Sequence, residues 1–222
     1  MCGRFTLISE VSELQDEFPF ATFVQDIQPR YNIAPSQPIA VIANDPSYQV
    51  DFYVWGLIPH WAKDPQMGNR LINARAETVS QKPAFRSPFR YHRCLILANG
   101  FYEWKKEDGS KTPMFIQLKS KKPFAFAGLW DSWQSPDGSE VRSCTIITTS
   151  PNSLLKPIHD RMPVILSPEN YLTWIKPDPA SPTELNPLLQ PYPTEKMAAY
   201  AVSKRVNDPQ LDDPQCILPL AI

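Results

Sequence analysis

The 222-residue chain has little glycine, histidine or cysteine: seven, three and four residues respectively. The histidines, His60, His92 and His159, lie far apart, and Cys2, Cys94, Cys144 and Cys216 form no C-x-x-C pair. This scatter argues against a zinc site and a disulfide framework, so no metal is expected. Reduced, unpaired thiols fit the cytoplasm, the expected location. No run of about 18 apolar residues exists, so no membrane-spanning helix is expected. The N-terminus lacks the basic and apolar regions of a signal peptide. An excess of either charge is also absent, with 22 basic against 23 acidic residues and a net charge of −1. A protein coating duplex nucleic acid is usually basic throughout, so at most a local basic groove is expected here.

Proline, by contrast, is abundant at 25 residues. The prolines are spread along the chain and read as rigid turns between short elements rather than as a linker. Only the stretch from Lys176 to Pro193 is dense enough to be a surface excursion, with a short helix possible over Thr183–Gln190. Short apolar runs rich in β-branched and aromatic residues predict strands at Ile39–Ile42, Phe52–Leu57, Cys94–Ala98, Met114–Leu118, Phe124–Leu129, Ser143–Thr148 and Val164–Leu166. Helices are fewer. Ser9 is the expected cap of a helix over Glu10–Phe18, and Ser167-Pro168-Glu169 should start another leading into Tyr171–Ile175. No internal repeat is visible. The expected fold is α+β, a single domain over residues 1–222 built on a bent, largely antiparallel, barrel-like sheet with peripheral helices. Cys94 and Cys144 sit in apolar runs and are expected to be buried and inert.

The start of the chain, Met1-Cys2-Gly3-Arg4-Phe5, carries the most chemistry. A small second residue permits removal of Met1, which would leave Cys2 with a free α-amine beside its thiol. The amine titrates near ~7.7–8.0 against ~10.4 for lysine, so roughly a third is unprotonated at pH 7.5. A 1,2-aminothiol can attack a carbonyl through sulfur, or add both groups to one aldehyde and close a thiazolidine ring. The plain alternative is that Cys2 is only small enough to permit processing.

Three further segments place reactive side chains in apolar frames. They are Leu71–Thr78 with Asn73 and Arg75, Ala98–Lys106 with Glu103, and Pro157–Pro163 with His159. Glu103, following a strand and flanked by Tyr102 and Trp104, is suited to general acid work if desolvated. Its structural alternative is a solvated pair with Lys105. His159, beside Asp160 and Arg161, can shuttle protons near its ordinary pKa of ~6.5. A lone histidine is more often structural, the only reading open to His60 and His92.

Taken in order, Met1–Phe5, Arg30–Pro35, Val54–Pro59, Ile72–Thr78, Gly100–Trp104, Ile158–Pro163 and Val202–Asn207 form a series that resembles the SOS response-associated peptidase (SRAP) family, the abasic-site processing proteins. The resemblance spans almost the whole chain. It implies a protein that senses abasic sites in single-stranded DNA during the response to DNA damage. The Cys2 amine would form a Schiff base at C1′, and its thiol would close a thiazolidine, giving a covalent DNA–protein crosslink without any cofactor. Glu103 would open the sugar ring and move protons, His159 would act on the sugar oxygen, and neutral Asn73 would hold the Cys2 amine. Arg4, Arg75 and Arg161 would contact phosphates, while Asn32, Pro35 and Trp104 would provide surface against neighbouring bases. Arg4 and Arg75 could instead pair with Glu77 or Asp160. The implied partner is single-stranded DNA bound by a monomer. A thiol autopeptidase removing Met1 is compatible with the same residues. Two other classes remain, an N-terminal-nucleophile amidohydrolase and a non-covalent reader of single-stranded DNA.

Overall fold

The computed structural model describes residues 2–107 and 109–220. Its strands are β1 (Phe5–Leu7), β2 (Arg30–Ile33), β3 (Pro38–Ala43), β4 (Val50–Trp55), β5 (Asn73–Arg75), β6 (Arg93–Ala98), β7 (Gly100–Glu107), β8 (Ser110–Leu118), β9 (Phe124–Gln134), β10 (Glu140–Thr149), β11 (Met162–Pro163), β12 (Ile165–Leu166) and β13 (Met197–Ala201). They form two sheets. The first closes on itself in the order β4, β3, β6, β9, β10 and back to β4. All its pairings are antiparallel except the closing one, where Ser143 and Cys144 run parallel to Val54 and Trp55. Three short strands extend it: β5 lies parallel to β10, β11 pairs antiparallel with β10, and β12 with β9. The second sheet is wholly antiparallel, in the order β13, β8, β7, β1, β2.

Every predicted strand is present, with the shortest one reduced to Ile165–Leu166. The sequence reading missed β2, β7 and β13, of four, eight and five residues, and also the short β1, β5 and β11, of two or three residues. The short ones owe their existence to long neighbours, since a backbone edge needs a partner more than a propensity. Interior strands read as continuous apolar runs because both faces are covered, as in β6, where all six residues are buried. Cys94 and Cys144 are fully buried there, and burial raises both thiols, so they are inert.

The two sheets join where β6 turns through Asn99 into β7. Asn99 is buried, accepts from the Ile8 and Ser9 amides at 2.8 and 3.1 Å, and donates to Ser9 Oγ at 2.8 Å. Gly100 follows because a Cβ there would lie 2.8 Å from the Ile116 carbonyl oxygen and against the Phe115 ring. Phe5 of the second sheet then packs edge-on against Trp55 and Phe126 of the barrel, with ring centroids 5.2 and 5.8 Å apart.

The same Asn99 contact corrects the first helix. Its span is α1 (Val11–Glu17), with Glu10 rather than Ser9 at the N-cap and no side-chain cap, because the Ser9 hydroxyl is already engaged by Asn99. The second expected start is real: Pro168–Asn170 forms a 3-10 turn that runs into a helix over Tyr171–Trp174. The proline-rich excursion holds a short helix over Pro182–Leu185, closed by a capping box between Ser181 and Glu184. Among the described residues no helix is long and apolar enough to cross a membrane. His60 and His92 flank the buried Asp131: its carboxylate accepts from the His60 amide at 2.9 Å, and its Oδ1 lies 3.7 Å from His92 Nδ1.

Arg93 is fully buried, and its guanidinium donates to the carbonyls of Trp174 at 2.7 Å, Arg90 at 2.5 Å, Lys176 at 2.6 Å and Asp178 at 2.9 Å. It ties the barrel to the start of the proline-rich excursion. Burial lowers its pKa, yet the ring of carbonyl dipoles keeps the cation solvated. Arg93→Met leaves several buried acceptors without donors, each worth about 1–3 kcal/mol. The urea midpoint is therefore expected to fall by the equivalent of at least about 3 kcal/mol. An unchanged midpoint would mean that water replaces the guanidinium.

Candidate functional site

Cys2 precedes β1, and β1 lies beside β7 with Phe5 opposite Phe101 and Thr6 opposite Gly100. The Tyr102 amide continues that ladder by donating to the Arg4 carbonyl at 2.9 Å. The pairing brings the start of the chain alongside Glu103, which lies inside β7 rather than after a strand. Asn73 opens β5, opposite Ile146 of β10, and its Nδ2 donates to the Cys2 carbonyl at 2.8 Å. The loop between β10 and β11 supplies His159, whose Nε2 is 3.9 Å from Glu103 Oε2. Cys2, Asn73, Glu103 and His159, separated by up to 157 positions in the sequence, therefore meet at one place. Met1, whose removal would free the Cys2 amine, lies outside the described residues.

Burial sets the electrostatics. Glu103 is 2% exposed, and desolvation, reinforced by the negative charge of Asp160, pushes its carboxyl up to about 7. The solvated pair with Lys105 does not occur, because Lys105 pairs with Glu107. Cys2 is fully buried, and desolvation followed by the Glu103 charge drives its thiol upward, so the sulfur rests protonated. Burial also lowers His159. The Arg161 amide donates to His159 Nδ1 at 3.0 Å, which in a neutral ring puts the proton on Nε2, the nitrogen facing Glu103. Asn73 Oδ1 is buried and accepts no hydrogen bond among the described residues. An acceptor held dry beside Cys2 is ready for a donor, such as an amine, that arrives during a reaction.

A groove of about 520 Å³ opens at the Glu103 and His159 side of this cluster, lined also by Trp104, Lys106, Lys111 and Asn207. Trp104 Nε1 donates to Asn207 Oδ1 at 2.8 Å, fixing the indole as one wall. Lys106 and Lys111 sit directly opposite each other across β7 and β8. Like charges so placed repel, and neither lysine has an ion-pair partner among the described residues. Lys106, Lys111 and Asn207 were missed as wall residues. The β7–β8 register, with Glu107 opposite Ser110, is what sets Lys106 opposite Lys111. A larger cleft of about 680 Å³, bordered by Glu17, Phe20, Lys122 and Tyr171, contains none of the reactive groups.

The predicted contact residues divide into two sets. Arg75 is exposed, Pro35 is half-buried in the turn after β2, and Trp104 lines the groove. Asn32 is instead fully buried. Its Nδ2 donates to the carbonyls of Leu211 at 2.7 Å and Asp208 at 2.9 Å, and its Oδ1 accepts from Arg4 Nη1 at 2.7 Å. Arg4 Nη1 also donates to the Val206 carbonyl at 2.7 Å. Asn32 thus supports Arg4 from beneath the surface and joins the Val202–Asn207 motif to the N-terminus. The ion pair expected of Arg4 or Arg75 belongs to Arg161, which grips Glu77 with both terminal nitrogens at 2.6 and 2.9 Å.

The family model described as SOS response associated peptidase (SRAP) matches residues 1–209. Abasic site processing protein YoqW of Bacillus subtilis is 50% identical over 221 residues, which cover 98% of this chain and 99% of that one. Abasic site processing protein YedK of Escherichia coli is 32% identical over 187 residues, covering 79% and 80%. A crystal structure of a protein from Bacteroides thetaiotaomicron superposes with a TM-score of 0.88 at 29% identity, covering 99% of this chain and all of that one. A family match that runs from Met1 through the Val202–Asn207 motif, together with these relatives, places the chain in the SOS response associated peptidase (SRAP) family.

Proposed function

We propose that this protein processes abasic sites in single-stranded DNA by forming a covalent crosslink through Cys2, acting as a cytoplasmic monomer. The observation that carries the reading is the meeting of Cys2, Asn73, Glu103 and His159 beside a groove whose wall carries Lys106 and Lys111. The names of the relatives point to the same lesion. Once Met1 is removed, the Cys2 amine adds to the C1′ aldehyde of the open sugar. Loss of one water gives the imine. The Cys2 S–H then adds across C=N, sulfur to carbon and hydrogen to nitrogen, closing a thiazolidine. The protonated resting thiol favours this order, with the amine attacking first and the sulfur trapping the product.

Glu103, near neutrality by burial, is suited to protonate the ring oxygen of the hemiacetal and to take protons from the amine. His159 would serve the sugar oxygen from the other side, and the dry Asn73 Oδ1 would accept from the Cys2 amine. The amidohydrolase alternative would instead require the Cys2 amine to act as base on a thiol that burial holds protonated. The test is an intact mass after incubation with a single strand carrying one abasic site. The expected species lacks Met1 and gains the oligonucleotide less one water. A mass unchanged apart from Met1 loss would reject the crosslink.

Binding before chemistry should be electrostatic. Arg4, Arg75, Lys106 and Lys111 are the proposed phosphate contacts, Arg161 being held by Glu77. For single strands the slope of log K against log salt is about −0.7 per contact. Lys106→Gln with Lys111→Gln is expected to reduce the slope for an undamaged single strand by about 1.4, while melting temperature holds or rises because a like-charge pair is relieved. Titrations at several salt concentrations measure this. An unchanged slope would remove the hairpin from the DNA path.

A further inference from the structure

We infer that Glu77 is a positioning residue for His159: its carboxylate clamps the Arg161 side chain so that the Arg161 amide holds the imidazole in the tautomer that presents Nε2–H to Glu103. The inference rests on the proton-transfer role proposed for His159. Glu77 takes no direct part in the chemistry.

The clamp is two-pronged, with Arg161 Nη1 on Glu77 Oε1 at 2.6 Å and Nη2 on Oε2 at 2.9 Å. Nη2 also donates to the Thr148 carbonyl at 2.6 Å, and the Arg161 side chain is only 14% exposed. Such a fork fixes orientation as well as distance, unlike a loose surface ion pair. Glu77 follows β5 by two residues, and the Ala76 amide binds the same Thr148 carbonyl at 2.9 Å. The clamp therefore fastens the segment that begins with Asn73 to the loop that carries His159. These two units lie on opposite sides of β10 in sequence, and no strand ladder pairs β5 with that loop.

The tautomer matters because His159 has competing neighbours. Its Nδ1 lies 3.0 Å from both the Arg161 amide nitrogen and Asp160 Oδ1. Among the described residues, the charged groups facing the ring are Glu103, Asp160 and the more distant Lys106. While the Arg161 amide donates to Nδ1, the neutral ring carries its proton on Nε2 and donates toward Glu103. If the loop loosens, the Asp160 carboxylate favours a proton on Nδ1 instead, and the Nε2 lone pair turns to Glu103. Glu103 would then have to be protonated to make the contact, and the direction of proton transfer between the two would reverse. Glu77 decides between these states from the far side of Arg161.

The experiment uses the full chain without DNA, with 15N-labelled histidine, observed by long-range 1H–15N NMR at about pH 8, above the ordinary histidine range. The native protein is expected to show His159 as the Nε2–H tautomer. Glu77→Gln keeps the size and loses the charge. Arg161→Lys keeps the charge and the backbone amide but cannot bridge both oxygens. Both are expected to give a mixture of tautomers, and Glu77→Asp should restore part of the Nε2–H form. With abasic single strands, crosslinking by Glu77→Gln should slow by up to about a hundredfold, the scale of a small misplacement at a reacting centre. A single Nε2–H tautomer in folded Glu77→Gln or Arg161→Lys would overturn the inference, since a purely structural ion pair leaves the ring unchanged. If the tautomer shifts while native crosslinking proves indifferent to His159→Ala, the positioning stands and the proton role of His159 fails.

Discussion

Cys2→Ser is expected to abolish the heat-stable adduct while leaving an imine that borohydride can trap. Serine is small enough for Met1 removal and retains the α-amine, so the first addition to the aldehyde survives. Its hydroxyl is a far poorer ring-closing nucleophile than sulfur, and the imine returns to aldehyde and amine in water. Cys2→Ala should behave in the same way. Neither change should unfold the protein, because the side chain is small and the Cys2 carbonyl, not its sulfur, holds Asn73 at 2.8 Å. Denaturing gels of adduct against time, with and without borohydride, separate the two products. A stable adduct from Cys2→Ser at the native rate would rule out the thiazolidine.

The second large effect is expected at Glu103. Glu103→Gln preserves shape and removes the titrating carboxyl, so formation should slow by the ~10²–10⁴-fold typical of one general acid–base group, with the same final product. His159→Ala should slow formation less and also slow return to free DNA, measured by chase into excess abasic competitor. The native rate should rise as the Cys2 amine loses its proton near ~7.7–8.0 and decline as the Glu103 acid is lost above about 7. The Gln variant should keep only the rising limb. The same substitution should alter stability in a defined pH window. The folded carboxyl titrates near 7 and the unfolded one near 4.5. Between those values the folded state holds a proton that the unfolded state has released, so native stability declines as pH rises through the window and is flat above it. Glu103→Gln lacks that decline. It should melt higher than the native protein at about pH 8 and match it near pH 4, where both forms are neutral. A variant less stable at alkaline pH would mean that the buried carboxylate is favourably solvated.

The amino-acid order by itself determined the α+β class and the barrel-forming apolar runs, and it marked the candidate reactive residues. Those features are local: a short apolar run rich in β-branched residues marks a strand, and an aminothiol at position 2 or a carboxyl between Tyr102 and Trp104 advertises its chemistry one segment at a time. Only the tertiary structure decided what each group became. Glu103 is an acid near neutrality, not a partner of Lys105, because the apposition of β1, β7 and the His159 loop removes it from water. Ser9 lost its capping role to Asn99, ninety residues away. Asn32 went beneath the surface to hold Arg4, and Arg161 was taken by Glu77 across 84 positions. Side-chain type states what a residue can do. Desolvation and the competition among donors and acceptors choose which of those things it does, and both arise only when distant segments share one volume.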